Sequence, residues 1–114
     1  MELKKGASVN ILGTAATIDS IRTFYQPENA YRVKEARYPD GTYLHGTSIA
    51  GPIFVLDGSI EFALDTDPEN FINAEAGEYL MKPPGGYRVR VADPSGVRII
   101  TVFEIPAPFR STKL

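Results

Sequence analysis

Short runs of β-branched and aromatic residues, broken by Gly or Pro about every ten positions, make up most of the chain. That punctuation predicts strands, and no stretch carries a helical period strong enough to predict a helix. The runs place strands at Ser8–Leu12, Ile18–Phe24, Tyr31–Tyr38, Ile53–Leu56, Ser59–Leu64, Phe71–Ala74, Glu78–Met81, Tyr87–Ala92 and Val97–Ile105. Between them "LDGS" reads as a tight hairpin with Asp57 and Gly58 at its centre, since Gly accepts a positive φ without a Cβ clash. "DTDPEN" reads as a second hairpin tip, "DPSG" as a tight turn, "KPPGG" as a loop and "PAPFRSTKL" as an extended tail. The whole is expected to be one all-β domain, a barrel or sandwich.

Two of the strands are apolar on both faces. Ile53 and Val55 alternate with Phe54 and Leu56, and Ile99 to Ile105 repeats the pattern. A strand of that kind must be covered on both sides, whereas a small barrel covers only its inner face. The pattern therefore predicts a homodimer that uses the outer face. Other strands divide apolar from charged positions. Tyr87, Val89 and Val91 share one face, and Arg88 and Arg90 the other. In contrast, Tyr31, Val33, Glu35 and Arg37 share a face that mixes apolar with ionisable groups, as a cavity-lining strand does, and Arg32, Lys34, Ala36 and Tyr38 share the other.

The 114 residues suit one domain, and the apolar share of 43% allows a modest core. A net charge of −2 offers no basic field for a nucleic-acid backbone. No apolar run reaches the length needed to cross a bilayer. Ser8, Asn10 and Gly13 interrupt the only segment resembling a signal peptide, so a cytoplasmic protein is expected. The absence of Cys excludes disulfides and thiolate chemistry, and a single histidine, His45, excludes a multi-His metal site within one chain. Acids occupy Asp57 to Glu78 without one Lys or Arg, and bases dominate from Lys82 onward. The acidic hairpin is either solvated on its outer face or faces the basic strands of a partner subunit.

"GPIFVLDGSIEF" and "AGEYLMKPPGGYRVRV" resemble the cupin superfamily of double-stranded β-helix, or jelly-roll, barrels. Gly77, Pro83 and Gly85 fall at the spacing of the second cupin motif, and Gly58 at the closing Gly of the first. The resemblance runs from Arg37 to Ile105 within a single domain spanning 1–114. The metal ligands that it implies fall on His45, Thr47, Gly51 and Arg88, so only His45 keeps a donor side chain. Arg88 is always charged and has no lone pair to give. The expectation is a barrel with no metal and no cofactor.

Two registers are open for Arg88 and Arg90. Pointing inward, as the family's His does, they would grip an anion bidentately. Pointing outward, they would leave Tyr87, Val89 and Val91 in the core. In the inward register His45 acts as acid–base, Tyr43 orients the substrate, and Arg88, Arg90, Arg37, Glu35 and Thr47 bind it. Glu35 would offset the charge of Arg37 or Arg88. The function so implied is binding of a small oxygenated or anionic molecule, with isomerisation, epimerisation or cyclisation by proton transfer. The other readings are a non-catalytic sensor or accessory binding domain, and a metal-dependent dioxygenase or isomerase.

Overall fold

The computed structural model describes residues 3–110. The elements are β1 (Lys4–Ala7), α1 (Val9–Leu12), α2 (Ile18–Phe24), β2 (Tyr31–Tyr38), β3 (Tyr43–Ser48), β4 (Gly51–Leu64), β5 (Ile72–Glu75), β6 (Glu78–Lys82), β7 (Gly85–Arg90) and β8 (Val97–Glu104). A 3-10 turn at Ala107–Phe109 replaces the first part of the expected extended tail, whose end lies outside the described residues. All ladders are antiparallel. One sheet runs β1-β6-β4-β8-β2. The other runs β3-β7-β4-β5. The fold is all-β, a jelly roll whose two sheets face each other across one apolar interior.

The strand β4 belongs to both sheets. Its first half pairs with β6 and β8, and its second half with β5 and β7. The hairpin expected at Asp57-Gly58 is therefore a bend inside one continuous strand. A register shift between Val55 and Asp57 and a φ of 74° at Gly58 turn the chain from one sheet into the other. "DTDPEN" is the hairpin tip between β4 and β5, and "DPSG" closes with the Gly96 N–H on the Asp93 carbonyl at 2.8 Å.

Two of the expected strands are helices. Ile18–Phe24 forms α2 because Thr17 and Ser20 cap its first turn reciprocally, with Asp19 at the positive end of the helix dipole and Arg22 near the other. Ser8–Leu12 contains the single turn α1, ended by Gly13 at φ 75°. Both helices pack on the outer face of the first sheet. Ile21, Phe54, Ile100 and Val102 are buried there, with Ile11, Ile18, Tyr25 and Tyr79 against them. On the inner face Ile53, Val55, Phe62, Leu80, Val89 and Ile99 form the main core.

This arrangement removes the premise behind the expected dimer. The second apolar face of β4 and β8 is covered by the chain's own α2, so no second subunit is needed to keep it from water. Ile21 is the helix's one fully buried side chain. Replacing it by Ala is expected to cost about 2–5 kcal/mol in urea unfolding, the range for a large-to-small core change. A loss below about 0.5 kcal/mol would mean that α2 is not docked as described.

Candidate functional site

Backbone alternation decides which sequence-named residues can meet. On β3, Leu44 and Ser48 look into the barrel, while Tyr43, His45 and Thr47 project from the outer face. On β7, Tyr87 and Val89 look inward, so Arg88 and Arg90 stand outside. The inward register of the two arginines is thereby corrected, and no arginine-lined cavity forms from them. Burying two guanidinium groups without anions is costly, and the carboxylates that neutralise them come from β4 and the turn after it, on the outer side.

There, His45 and Arg88 are direct cross-strand neighbours. Asp65 reaches both: His45 Nε2 lies 3.0 Å from its Oδ1 and 3.1 Å from Oδ2, and Arg88 Nε donates to Oδ1 at 3.3 Å. A carboxylate only accepts, so Nε2 carries the proton of that pair. Asp65 first, and Tyr43 after it, push the Arg88 guanidinium above its ordinary range. The hydrogen bond from His45 and, after it, that from Arg88 hold the Asp65 carboxyl below its ordinary range. The cluster is open to water, with the His45 side chain 52% exposed. It gathers His45, Tyr43 and Arg88 as the sequence grouped them, on the wall of the barrel rather than in its interior.

The approach of Asp65 requires Gly86. A Cβ at that position would lie 2.1 Å from Asp65 Oδ2. Gly86→Ala is expected to displace the carboxylate and return its titration toward the ordinary value of 3.8, followed by the side-chain carboxyl NMR shift. Because the folded-state pKa is depressed, the stability that Asp65 contributes is present above that value. It is lost as pH falls through the lower folded value, and Gly86→Ala should weaken this acid dependence. An unchanged Asp65 titration in the variant would refute the arrangement.

The remaining named residues disperse. Arg90 donates twice to Glu61, both at 3.2 Å, and lies 3.9 Å over the Phe71 ring. Glu35 pairs with Arg98 at 3.4 Å, not with Arg37 or Arg88. Arg98 also meets Asp57 at 2.9 Å. Arg37 stands opposite Arg98 in the ladder and borders a shallow recess with Pro39 and Ser95. Thr47 is exposed, opposite Gly86. Asp57, Glu61, Asp65 and Glu78 of the acidic stretch thus find Arg98, Arg90, Arg88 and Lys5 within the same chain.

The barrel interior holds a cavity of about 290 Å³. Its body is apolar, formed by Leu44, Ile53, Phe62, Val89, Ile99 and Phe103. The Tyr87 ring stacks on Phe62 with centroids 5.4 Å apart. The same ring passes over Gly46, where a Cβ would sit 3.1 Å from its hydroxyl oxygen. Polar side chains also line it: Lys82, Ser48, Tyr38, Thr101 and the exposed Lys34. Lys82 is the unusual member, being only 8% exposed. Its Nζ donates to Ser48 Oγ at 2.7 Å and to the Ile49 carbonyl. Among the described residues no carboxylate forms an ion pair with it. Burial pushes its amine below the ordinary lysine range.

No known family profile matches the chain, and no curated protein matches it in sequence. Solved structures do. The EutQ protein of Clostridium difficile shares 18% identity at a TM-score of 0.56, over 92% of this chain and 68% of that one. A cupin-2 domain protein from Shewanella frigidimarina shares 15% at 0.54, over 76% and 90%. A cupin superfamily protein from Desulfitobacterium hafniense shares 12% at 0.55, over 91% and 78%. The fold is that of the cupins.

The metal that many cupin barrels hold does not fit the side chains present. The aligned positions 45, 47 and 88 face outward, and Gly51 packs on the Val102 carbonyl with no room for a Cβ. Among the described residues no three His, Cys, Asp or Glu side chains gather as a ligand set. Where this barrel offers polar chemistry inside, it offers two amines, Lys34 and Lys82, two phenols and two hydroxyls, and of the amines only Lys82 is buried. Sequence reasoning passed over Lys82 because it ended the strand at Met81. The signal was there: in β6, Leu80 is a core residue, and alternation carries Lys82 to the same inward face. Among the described residues no helix is long and apolar enough to cross a membrane.

Proposed function

We propose that the protein binds a small oxygenated molecule inside the barrel, with its apolar body against Phe62, Val89 and Ile99 and its oxygen-bearing head toward Lys82. One observation carries this reading. An apolar cavity of about 290 Å³ contains a single buried amine that has no carboxylate partner among the described residues. Ligand pockets combine those features, a mostly apolar lining and few polar groups that fix orientation. A lysine is costly to bury, and a ligand oxygen would offset part of that cost. Proton transfer at His45 and Tyr43 lacks support from the geometry, since both stand on the outer face and away from this cavity.

Calorimetry and melting curves with small alcohols, ketones and carboxylates test the proposal. A ligand at a hundred times its Kd should stabilise the fold by about 2.7 kcal/mol. Leu44→Trp, which fills the cavity from the β3 wall, should abolish the heat of binding while the protein still unfolds cooperatively. Equal binding by that variant, or no binding by any compound, would refute the assignment.

A further inference from the structure

The hydrogen-bond partners of Lys82 fit a neutral amine. An ammonium has three donors, whereas an uncharged amine has two donors and one lone pair. Nζ has two acceptors, Ser48 Oγ and the Ile49 carbonyl, and no third partner among the described residues. Both acceptors lie at the β3–β4 connection, where they direct two N–H bonds and leave the third tetrahedral direction without a protein partner. A group this buried, with apolar walls and no counter-charge, is the environment in which lysines act as nucleophiles.

We propose that Lys82 captures a small aldehyde or ketone in the barrel as an imine. This rests on the cavity-binding reading above and adds the identity of the head group and a covalent bond. The Nζ lone pair attacks the carbonyl carbon, forming a C–N bond, and the π pair moves to oxygen. Both nitrogen protons are transferred to that oxygen, which leaves as water while the C=N bond forms. The products are one imine and one water, and the step needs no oxidant or reductant. Ser48 Oγ, hydrogen-bonded to Nζ, stands where it can pass the first proton. Burial, which holds the amine below the ordinary lysine range, raises the share of the attacking neutral form.

The test compares three compounds with one body and different heads: benzaldehyde, benzyl alcohol and benzoate. The full chain is treated with benzaldehyde and sodium cyanoborohydride near pH 7, and the adduct is mapped by peptide mass spectrometry. The expected result is reduction to a stable secondary amine at Lys82, at least about tenfold faster than at the exposed Lys4 or Lys5, because a carbonyl held in the cavity meets Nζ at a high effective concentration. Labelling spread evenly over those surface lysines, or absent from Lys82, overturns the proposal. Mapping on the native chain makes the result independent of whether a Lys82 variant folds. The two readings separate cleanly. Heat of binding for benzyl alcohol or benzoate without trapping at Lys82 sinks the imine and leaves the binding site, whereas no heat from either and no trapping sinks both.

Discussion

Gly58→Val should be the most damaging single substitution in the chain, costing more than about 4 kcal/mol and leaving little folded protein at room temperature. Two independent terms add. A β-branched residue at a φ of 74° occupies backbone space that such side chains all but avoid, costing about 1–3 kcal/mol. The new Cβ would also lie 1.9 Å from the Gly96 carbonyl oxygen, a backbone atom that cannot rotate away. Relief requires moving the Asp93–Gly96 turn, and Gly96 itself sits at φ 73° against the Tyr38 carbonyl. The clash therefore spreads from β4 to β8 and to the end of β2. Urea unfolding of Gly58→Ala gives the graded control, since Ala meets the same clash with a smaller conformational penalty. A valine variant as stable as the parent would mean that β4 does not bend at Gly58 as described.

The weight placed on Gly58 shows what could be read from the chain and what could not. Its glycine character was legible, because a turn signal and a motif position both fell on it. Its role was not. A two-residue hairpin and a bulge within one long strand share the same local signal, and only pairing partners far along the chain distinguish them. The doubly apolar stretches Ile53–Leu56 and Ile99–Ile105 were also legible, and so was the need to cover both faces. The reading of that need as a second subunit did not consider the chain's own α2, which packs on this face. The covering element, Ile18–Phe24, is rich in β-branched residues, and its capping by Thr17 and Ser20 was not weighed against that composition.

The candidate site divides in the same way. The grouping of His45, Tyr43 and Arg88 follows from strand pairing and was readable, but the face they share was not. The alternation of β7 allowed either register. The structure settles it by electrostatics and packing together: Tyr87 and Val89 line the cavity inside, and Arg88 and Arg90 meet Asp65 and Glu61 outside. Asp65 lies in a hairpin tip that carried no signal of its own. Gly86, which admits it, looked like loop flexibility beside two prolines and is in fact a strand position kept free of a side chain for a neighbouring carboxylate.

Lys82→Met is expected to abolish ligand capture in the barrel and to change the alkaline stability profile of the protein. Met keeps the unbranched length of the side chain and removes the amine, so the cavity stays filled to the same depth. Loss of the head-group contact should weaken binding of an oxygenated ligand at least tenfold, about 1.4 kcal/mol. The proton balance gives a second, ligand-free readout. The folded-state pKa of Lys82 is depressed below its ordinary value of 10.5 by burial. Between those two values the unfolded chain holds a proton that the native protein has released. Stability from this group therefore rises with pH across that window, is complete above 10.5, and is lost as pH falls through the folded value. The parent protein should gain stability on going from neutral to alkaline pH relative to the Met variant, whose profile lacks this contribution. Near neutrality the variant trades the cost of a buried amine against the hydrogen bonds to Ser48 and the Ile49 carbonyl, each worth about 1 kcal/mol. Urea midpoints measured for both proteins from pH 7 to 10.5 separate these terms. Identical profiles would place the Lys82 amine in water rather than in the barrel wall, and the cavity would then lose its buried amine.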